Sequence, residues 1–255
     1  MIPQTVLITG ATGAIGSALA LAYAAPGRVL VLHGRNTARL DEVAQACRAR
    51  GARTETKALD VRDKAALTAW LDEAARRQPV DLVIVNAGTI NVLRPGDKDE
   101  AREDVERVMD VNVRAAEATV NALLPHMQRR GSGQIALISS LLGWFGLPVA
   151  PAYSASKAAL KRYGEGLREP LARDGIRVSV VMPGFVKSDM SDELHVPKLF
   201  MVSAEDAARR IKRGLENNEA RISFPFPLNL GSWLLATLPA PLQRLVLTMM
   251  GFDRR

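Results

Sequence analysis

The stretch Thr5-Val6-Leu7-Ile8-Thr9-Gly10-Ala11-Thr12-Gly13-Ala14-Ile15-Gly16 decides the fold of this chain. It passes from a short apolar run typical of a strand into a glycine-rich turn, and then into an alanine-rich segment typical of a helix. Glycines in such a turn let the backbone turn tightly, approach a pyrophosphate, and pack a helix closely against a strand. The helix N-terminus offers free N–H groups and a positive dipole end to phosphates. The predicted phosphate-binding residues of this turn are Gly10, Thr12, Gly13, Ile15 and Gly16.

Runs of strand length alternate with longer amphipathic segments along the rest of the chain. The predicted strands are Thr5–Thr9, Val29–Leu32, Arg53–Ala58, Leu82–Asn86, Gln134–Ser139, Arg177–Met182 and Arg221–Phe224. The predicted helices include Ala38–Arg50, Lys64–Arg77, Glu103–Arg130, Ser154–Arg173 and Ala204–Asn217. This alternation indicates right-handed crossovers and parallel strands. We predict a single α/β domain over residues 1–255, with a doubly wound (Rossmann-type), mostly parallel sheet of about seven strands flanked by helices.

Composition and charge narrow the classes of function. The chain has 255 residues, of which 47% are hydrophobic and 24% charged, as in ordinary globular proteins. The single cysteine, Cys47, excludes an intramolecular disulfide, and the N-terminus lacks a signal-peptide pattern, so we expect a cytoplasmic location. No metal site is predicted, because His33, His126 and His195 show no ligand spacing. The net charge of +7 lies on scattered basic doublets with acidic neighbours, which favours an anionic cofactor or substrate over nucleic acid.

A tyrosine and a lysine stand one helical turn apart in the stretch Tyr153-Ser-Ala-Ser-Lys157. Residues at i and i+4 of a helix share a face, so both side chains can point into one site. A free tyrosine has a pKa of about 10 and is a poor proton donor or acceptor at neutral pH. A nearby ammonium favours the phenolate, so we expect Lys157 to lower the pKa of Tyr153 toward values suited to acid–base chemistry.

The second predicted strand leads into His33-Gly34-Arg35-Asn36. An acidic residue at this point would hydrogen-bond the adenosine ribose hydroxyls of NAD. Arg35 instead offers a guanidinium that can hold a 2′-phosphate in a forked, charge-assisted contact. We therefore predict NADP as the cofactor ahead of NAD, the alternative being that Arg35 only solvates a loop.

Together with further motifs in the same order, these residues resemble the short-chain dehydrogenase/reductase family in its compact, single-domain form. The resemblance covers about residues 5–224. Asn86-Ala87-Gly88 matches the turn after the family's fourth strand, and Ser140 precedes Tyr153 at the family's usual serine position. The other positions that match the family's cofactor-binding or active-site pattern are Asp60, Val61, Asn112, Pro183, Gly184, Val186 and Ser188.

The resemblance implies an NAD(P)(H)-dependent oxidoreductase that moves hydride between nicotinamide C4 and an alcohol or carbonyl carbon of a small molecule. Tyr153 would then exchange a proton with the substrate oxygen, and Ser140 would hydrogen-bond that oxygen. Lys157 would lower the Tyr153 pKa and also bind the nicotinamide ribose. Asn112 would hold a water that relays protons to Lys157. The dinucleotide itself would contact Tyr153 and Lys157 besides the glycine-rich turn.

Two departures from the family pattern leave alternatives open. Glycines at 10, 13 and 16 have the spacing of the family's extended branch, which suggests an epimerase or dehydratase that uses bound cofactor transiently. The chain is nevertheless too short for the additional substrate domain of that branch. A non-catalytic dinucleotide sensor is a third alternative, and the intact set Ser140, Tyr153 and Lys157 argues against it. The second departure is Pro170, which we expect to end or kink the active-site helix well after Lys157.

Three segments bear on substrate and assembly. Residues 141–148 are apolar and either pack as core or line a pocket for an apolar or medium-sized carbonyl compound. Residues Lys187–Val202 resemble by position the family's mobile substrate loop, in which His195 could contact substrate. The long helices Glu103–Arg130 and Ser154–Arg173 are the family's usual contacts for a homodimer or homotetramer.

The last part of the chain, 225–255, is an apolar extension punctuated by prolines. Its longest apolar run is shorter than the roughly 20 residues that a membrane-spanning helix requires. We expect it to pack over the core or in a subunit interface. A lid over a lipophilic substrate or a peripheral membrane contact is the less favoured alternative.

Overall fold

All strands of the central sheet run parallel in the computed structural model, which describes residues 2–94, 96–194 and 196–252. The strands are β1 (Thr5–Ile8), β2 (Val29–Gly34), β3 (Arg53–Ala58), β4 (Leu82–Val85), β5 (Gly133–Ile138), β6 (Ile176–Pro183) and β7 (Arg221–Phe224). Their order across the sheet is β3-β2-β1-β4-β5-β6-β7. The predicted doubly wound α/β sheet is confirmed, and the predicted strands differ from the observed ones only at their ends.

Helices connect the strands. They are α1 (Ala14–Tyr23), α2 (Thr37–Ala49), α3 (Lys64–Arg77), α4 (Arg102–Met109), α5 (Ala115–Arg130), α6 (Pro151–Ala172), α7 (Asp189–Asp192), α8 (Ala204–Glu216), α9 (Leu228–Thr237) and α10 (Ala240–Met249). Polar side chains cap the N-termini of three helices. Asn36, Asp63 and Ser203 accept a hydrogen bond from a backbone N–H in the first turn of α2, α3 and α8, respectively.

Two helices depart from their predicted form. The predicted helix Glu103–Arg130 is not continuous, because Asp110–Arg114 forms a π-helical turn between α4 and α5. Such turns accommodate an extra residue and depend on tertiary contacts that hydrophobic periodicity does not reveal. Pro170 lies inside the last turn of α6, which ends at Ala172. The proline therefore stands close to the helix end and far from Lys157, as expected.

The crossovers reverse direction between β1 and β4, which are neighbours in the sheet but lie far apart in sequence. Val6 of β1 pairs with Leu30 of β2 on one side and with Leu82 of β4 on the other. The chain proceeds from β1 toward β2 and β3 on one side, and from β4 toward β5, β6 and β7 on the other. A crevice therefore opens between β1 and β4 at the carboxyl ends of the strands. This crevice is where a doubly wound fold binds its ligand.

The core consists of one apolar layer on each face of the sheet. Val6 and Ile8 of β1 pack into the layer shared with α1, α2 and α8, whereas Leu7 packs into the layer shared with α3, α5 and α6. Successive side chains of a strand point to opposite faces, so a strand buried on both faces is apolar throughout. The continuous apolar runs in the sequence have this cause.

The C-terminal helices α9 and α10 belong to a third apolar cluster beyond the carboxyl edge of the sheet. Leu235 of α9 and Leu247 of α10 pack there with Tyr153 and with Leu194 from the segment after β6. The extension thus packs over the core at the carboxyl ends of the strands. Among the helices of the described residues, none is long and apolar enough to cross a membrane.

Helix α6 approaches the sheet most closely at Gly164. A Cβ at this position would lie 2.5 Å from Val180 Cγ2 and 2.9 Å from Leu137 Cδ1, whereas one at Gly166 would meet nothing within 4 Å. We expect Gly164→Ala to lower the free energy of unfolding by about 1–3 kcal/mol, because it forces apart a packed interface. Gly166→Ala should raise it by about 0.5–1 kcal/mol through helix propensity. Urea titration of both variants checks this, and equal effects would contradict it.

Candidate active site

A cavity of about 920 Å³ opens at the carboxyl ends of the strands. The predicted site residues that line it are Gly10, Thr12, Gly13, Ile15, Arg35, Asp60, Val61, Asn86, Ala87, Gly88, Ser140, Tyr153, Lys157, Pro183, Gly184, Val186 and Ser188. The cavity has a glycine-lined part beside β1 and β2 and an apolar part beneath α9 and α10. Ser140 comes from the turn after β5, and Tyr153 and Lys157 come from α6. Lys157 lies beside Gly88, and Tyr153 packs in the third apolar cluster, so this group stands between the two parts of the cavity.

The glycine-rich turn is held against β4 by hydrogen bonds at the switch point. Asn86 Nδ2 donates to the carbonyl oxygens of Thr9 and Gly10 at 3.2 and 2.9 Å. Thr9 Oγ1 accepts from the N–H groups of Asn86 and Ala87 at 3.0 and 3.1 Å. The polar groups at the ends of the two strands are thereby paired with each other, which fixes the shape of the turn.

Two glycines of the turn serve different purposes. Gly10 has a φ of 67°, and a Cβ there would lie 2.8 Å from Ala87 Cα. Gly16 was predicted to bind cofactor, yet it does not line the cavity. A Cβ at Gly16 would lie 2.2 Å from the Gly10 carbonyl oxygen, so this glycine allows α1 to pack against the turn. Its contribution to the site is therefore through packing.

His33 supports the same turn, a role that its position next to Gly34 in the sequence does not predict. Its Nδ1 accepts from the Gly10 N–H at 3.3 Å, and its Nε2 lies 3.1 Å from the Leu59 carbonyl oxygen. Burial lowers the pKa of His33. These contacts require a neutral ring that carries its proton on Nε2.

The N-terminus of α1 faces the glycine-lined part of the cavity. Gly13 is its N-cap, and no side chain caps it. The first N–H groups of a helix lack partners within the helix, and here Ala14 and Ile15 line the cavity. An anion bound at this point would receive these N–H groups and the positive end of the helix dipole.

Positive charge lines the cavity at the end of β2. Arg35 lies there as predicted, and Arg39 of α2 lines the cavity as well. Sequence reasoning missed Arg39, although its position one turn after Arg35 could have indicated it. Arg39 is 3.8 Å from the exposed carboxylate of Asp189, which is a weak surface ion pair. Both guanidinium groups can therefore serve an anionic ligand.

Asp60 and Val61 line the cavity after β3. The Asp60 carboxylate accepts hydrogen bonds from the Arg62 guanidinium, whose closest contact is 2.6 Å. These hydrogen bonds lower the pKa of Asp60. A carboxylate stabilised in this way stays ionised at neutral pH and can accept further hydrogen bonds from a ligand.

Ser140, Tyr153 and Lys157 meet in one buried group. Ser140 Oγ accepts from the Leu142 N–H at 3.1 Å and donates to the Pro183 carbonyl oxygen at 3.4 Å, and it stands close enough to the Tyr153 phenol to lower its pKa. Lys157 Nζ lies 5.5 Å from the centre of the Tyr153 ring and donates to the Ile138 carbonyl oxygen at 2.9 Å. The i, i+4 spacing does place phenol and amine on one face of α6.

The protonation of this group differs from the expectation. Burial raises the pKa of Tyr153 to about 12, and the hydrogen bond with Ser140 opposes the rise. Burial also lowers the pKa of Lys157 to about 8. The expectation that the Tyr153 pKa lies below its usual value is therefore wrong for this structure, because desolvation of the phenolate outweighs its stabilisation by neighbouring groups. Tyr153 is a protonated phenol at neutral pH.

Asn112 does not line the cavity, although it was predicted to be catalytic. It is buried in the π-helical turn, where Oδ1 accepts from the Thr89 N–H at 2.8 Å. Its Nδ2 donates to the Thr89 carbonyl oxygen and to Ser156 Oγ, both at 2.9 Å. The amide is thus occupied by protein groups, and it positions the turn after β4 behind Gly88.

The apolar part of the cavity comes from three segments. Leu141, Leu142 and Phe145 line it, so the stretch after Ser140 is partly a pocket wall, as one of the two interpretations expected. Met190 and Leu194 come from the predicted substrate loop. In that loop Phe200 points to solvent, and His195 lies outside the described residues.

The third segment of the apolar part is the C-terminal extension. The residues of this extension that line the cavity are Leu228, Gly231, Ser232, Leu235, Val246, Leu247, Met250 and Phe252. Packing over the core was the favoured expectation, and a substrate lid was the alternative. The structure places the extension in the cavity wall. The sequence could not predict this role, because a helix that packs over the core and a helix that lines a cavity have the same apolar pattern.

Trp144 does not line the cavity, and it packs against Leu141 in the segment after Ser140. Lys161 Nζ lies 4.0 Å from its ring centre, and the Arg221 guanidinium carbon lies 4.7 Å from it. Both cations bind the carboxylate of Glu165, at 3.0 and 2.6 Å. This network joins α6 and β7 to the turn that carries the pocket wall.

Comparison with known proteins assigns the family. The family model described as short chain dehydrogenase matches residues 4–198. An uncharacterized oxidoreductase of Myxococcus xanthus is 36% identical over 244 residues, which are 94% of each chain. The chain belongs to the short-chain dehydrogenase/reductase family.

Two solved structures of this family have similar folds. A short-chain dehydrogenase from Sphingobium yanoikuyae in complex with NADPH has a TM-score of 0.79 and 26% identity, covering 97% of this chain and 94% of its own. One from Mycobacterium paratuberculosis, bound to NAD, has the same TM-score and identity and covers 89% and 98%. Within the ranges that the structure describes, this short-chain dehydrogenase/reductase has no group of acidic, histidine and cysteine side chains able to hold a metal.

The buried Lys157 of this short-chain dehydrogenase/reductase makes stability depend on pH. Its folded pKa of about 8 lies below the ordinary value of 10.5, so the unfolded chain binds more protons between these values. Stability attributable to Lys157 therefore rises with pH across this window. We expect Lys157→Met to be more stable than wild type at about pH 7.5, and the difference to shrink by about 1–2 kcal/mol at about pH 9.5.

Urea unfolding at both pH values checks this expectation. The matched control is Lys64→Met, which removes an exposed ammonium at the start of α3. Its stability difference from wild type should vary little between the two conditions. A difference for Lys157→Met that stays constant with pH would contradict the assignment of a buried, destabilised ammonium.

Proposed function

We propose that this protein is an NADP(H)-dependent oxidoreductase that interconverts an apolar carbonyl compound and its alcohol. One observation carries the proposal: Ser140, Tyr153 and Lys157 form a buried group where the glycine-lined part of the cavity meets the apolar part. Membership of the family supports oxidoreductase chemistry, and the residues present supply a proton donor at this point.

Proton transfer falls to Tyr153. A phenol with a pKa of about 12 holds its proton at neutral pH and can donate it to an alkoxide, which is more basic still. The Ser140 hydroxyl can hydrogen-bond the same substrate oxygen where negative charge develops. Lys157 stands beside the phenol, and its positive charge stabilises the phenolate left after donation. In oxidation the same groups act in reverse.

The lining residues fit a nicotinamide dinucleotide. Gly10 leaves no room for a Cβ, the uncapped α1 N-terminus faces the cavity, and Arg35 and Arg39 supply positive charge. When bound, the dinucleotide supplies or accepts the hydride. Asn86 and Gly88 line the same part of the cavity and would contact it beside Lys157.

NADP is proposed ahead of NAD because of the charge after β2. The two structural neighbours contain NADPH and NAD, so the choice depends on the residues of this chain. Arg35 and Arg39 both line the cavity there, and a 2′-phosphate would bind between such guanidinium groups.

Arginine substitutions test the cofactor choice. We expect Arg35→Ala and Arg39→Ala each to weaken NADPH binding about tenfold, the loss of one charge-assisted contact of about 1.5 kcal/mol or more, and to leave NADH binding nearly unchanged. Fluorescence titration with both cofactors measures this. Arg48→Ala on α2 is the control, because its side chain bonds Thr54 and does not line the cavity. Equal losses for NADPH and NADH would remove the case for NADP.

The active-site tyrosine has a matched control on the same helix. Tyr153→Phe should lower kcat by at least about 100-fold, because the proton donor is lost, while NADPH still binds. Tyr163→Phe should change little, since Tyr163 does not line the cavity. A carbonyl and alcohol substrate screen, read by NADPH and NADH absorbance, provides the assay. Retention of most activity by Tyr153→Phe would overturn the assignment.

The same assay separates the alternatives. An epimerase or dehydratase would turn over without releasing reduced or oxidised cofactor, and a sensor would bind it without turnover. The apolar lining from Phe145, Met190 and Leu235 favours an apolar substrate. A cytoplasmic location, a homodimer or homotetramer, and one domain over residues 1–255 remain predictions.

A further inference from the structure

The C-terminal helices are apolar on both sides. Their inner residues line the cavity or pack in the third core cluster. Their outer residues include Trp233, Leu245 and Met249, which are 44%, 55% and 78% exposed, and Phe226 before α9 is 74% exposed. A helix that is apolar all round is buried in a protein or contacts lipid. Isolated exposed apolar residues are ordinary, but a contiguous set marks an interaction surface.

The substrate loop extends this surface. Pro197 lies against Gly251 at the end of α10, since a Cβ there would be 3.4 Å from its ring. The residues that follow in the loop, Leu199, Phe200 and Met201, are also exposed. Phe200 has a φ of 56°, which is unusual and costly for an aromatic residue. Phe200 thus adds an exposed aromatic ring next to the apolar outer face of the two helices.

The charge of the segment distinguishes two kinds of partner. No Asp or Glu occurs from residue 220 to residue 252, and the exposed Arg244 lies on the outer side of α10. A second copy placed on the same face by two-fold symmetry would offer Arg244 no carboxylate from this segment. An anionic lipid surface offers phosphate groups to Arg244, an interfacial site to Trp233, and hydrocarbon to the leucines.

We propose that the outer face of α9 and α10, with the adjoining loop 199–201, docks onto an anionic membrane surface. The docking surface consists of Leu199, Phe200, Met201, Phe226, Leu230, Trp233, Leu234, Leu242, Arg244, Leu245 and Met249. The inner face of the same two helices lines the apolar part of the cavity, so a molecule dissolved in lipid would lie close to the site. The sequence favoured packing of this segment over the core, which the inner face does, and the exposure of the outer face is the basis of the present proposal.

Vesicle flotation of the full chain, with and without NADPH, tests the docking. The wild type should float with vesicles of equal parts phosphatidylcholine and phosphatidylglycerol, and less with phosphatidylcholine alone or at high salt. Trp233→Gln/Leu245→Gln should lower the partition coefficient at least about tenfold. Arg244→Gln should lower it about fivefold for the anionic vesicles only.

Controls keep the test independent of folding and turnover. Ile2→Gln replaces a side chain that is 67% exposed at the opposite edge of the sheet, and it should float like wild type. Brominated phosphatidylcholine in the mixed vesicles should quench Trp233 fluorescence, a signal that Trp233→Phe loses while it still floats. The measurement needs no substrate, so its failure leaves the proposed oxidoreductase function standing.

Two outcomes would overturn the proposal. Wild type that stays unbound with anionic vesicles, while Trp233→Gln/Leu245→Gln lowers the mass measured by light scattering, would assign this face to a subunit interface. Flotation that is equal for wild type and both the double variant and Arg244→Gln would place membrane contact elsewhere on the molecule.

Discussion

The hydrogen bonds between Thr9 and Asn86 are the constraint on which the rest of the site depends. The crossover connections reverse direction between β1 and β4, and a crevice opens there at the carboxyl ends of the two strands. Without these hydrogen bonds, the backbone polar groups at the strand ends would be unpaired. Asn86 Nδ2 and Thr9 Oγ1 pair these groups across β1 and β4. The glycine-rich turn, the α1 N-terminus and the turn ending at Gly88 all take their positions from this contact.

Burial determines the chemistry of the site as much as proximity does. Desolvation favours the neutral forms, so it raises the pKa of Tyr153 and lowers that of Lys157. The phenol is thereby kept protonated at neutral pH. Lys157 and Tyr153 are both buried, so the charge of the ammonium is weakly screened and would act strongly on a phenolate. The raised pKa of Tyr153 and the lowered pKa of Lys157 are therefore compatible with the proposed role of Tyr153 as a proton donor.

The sheet and its approximate strand bounds could be predicted, and most of the predicted site residues do line the cavity, because they depend on local patterns: apolar runs, a glycine-rich turn and a helical spacing. The rest depends on tertiary contacts. The π-helical turn places the Asn112 amide against Thr89 and Ser156. His33 bonds Gly10 only once β1 and β2 are paired. The pKa of Tyr153 is raised, and not lowered as predicted, because the residue is buried, and the spacing between Tyr153 and Lys157 does not predict burial.

The buried group and much of the apolar cavity lining come from separate stretches of the sequence. The buried group of Ser140, Tyr153 and Lys157 comes from the turn after β5 and from α6, and α6 packs closely against the sheet at Gly164. Much of the apolar cavity lining comes after β7, at the far end of the chain, and makes no hydrogen bond to those groups among the described residues. Sequence changes confined to the last two helices would therefore alter the apolar lining of the cavity and leave the residues of the buried group unchanged.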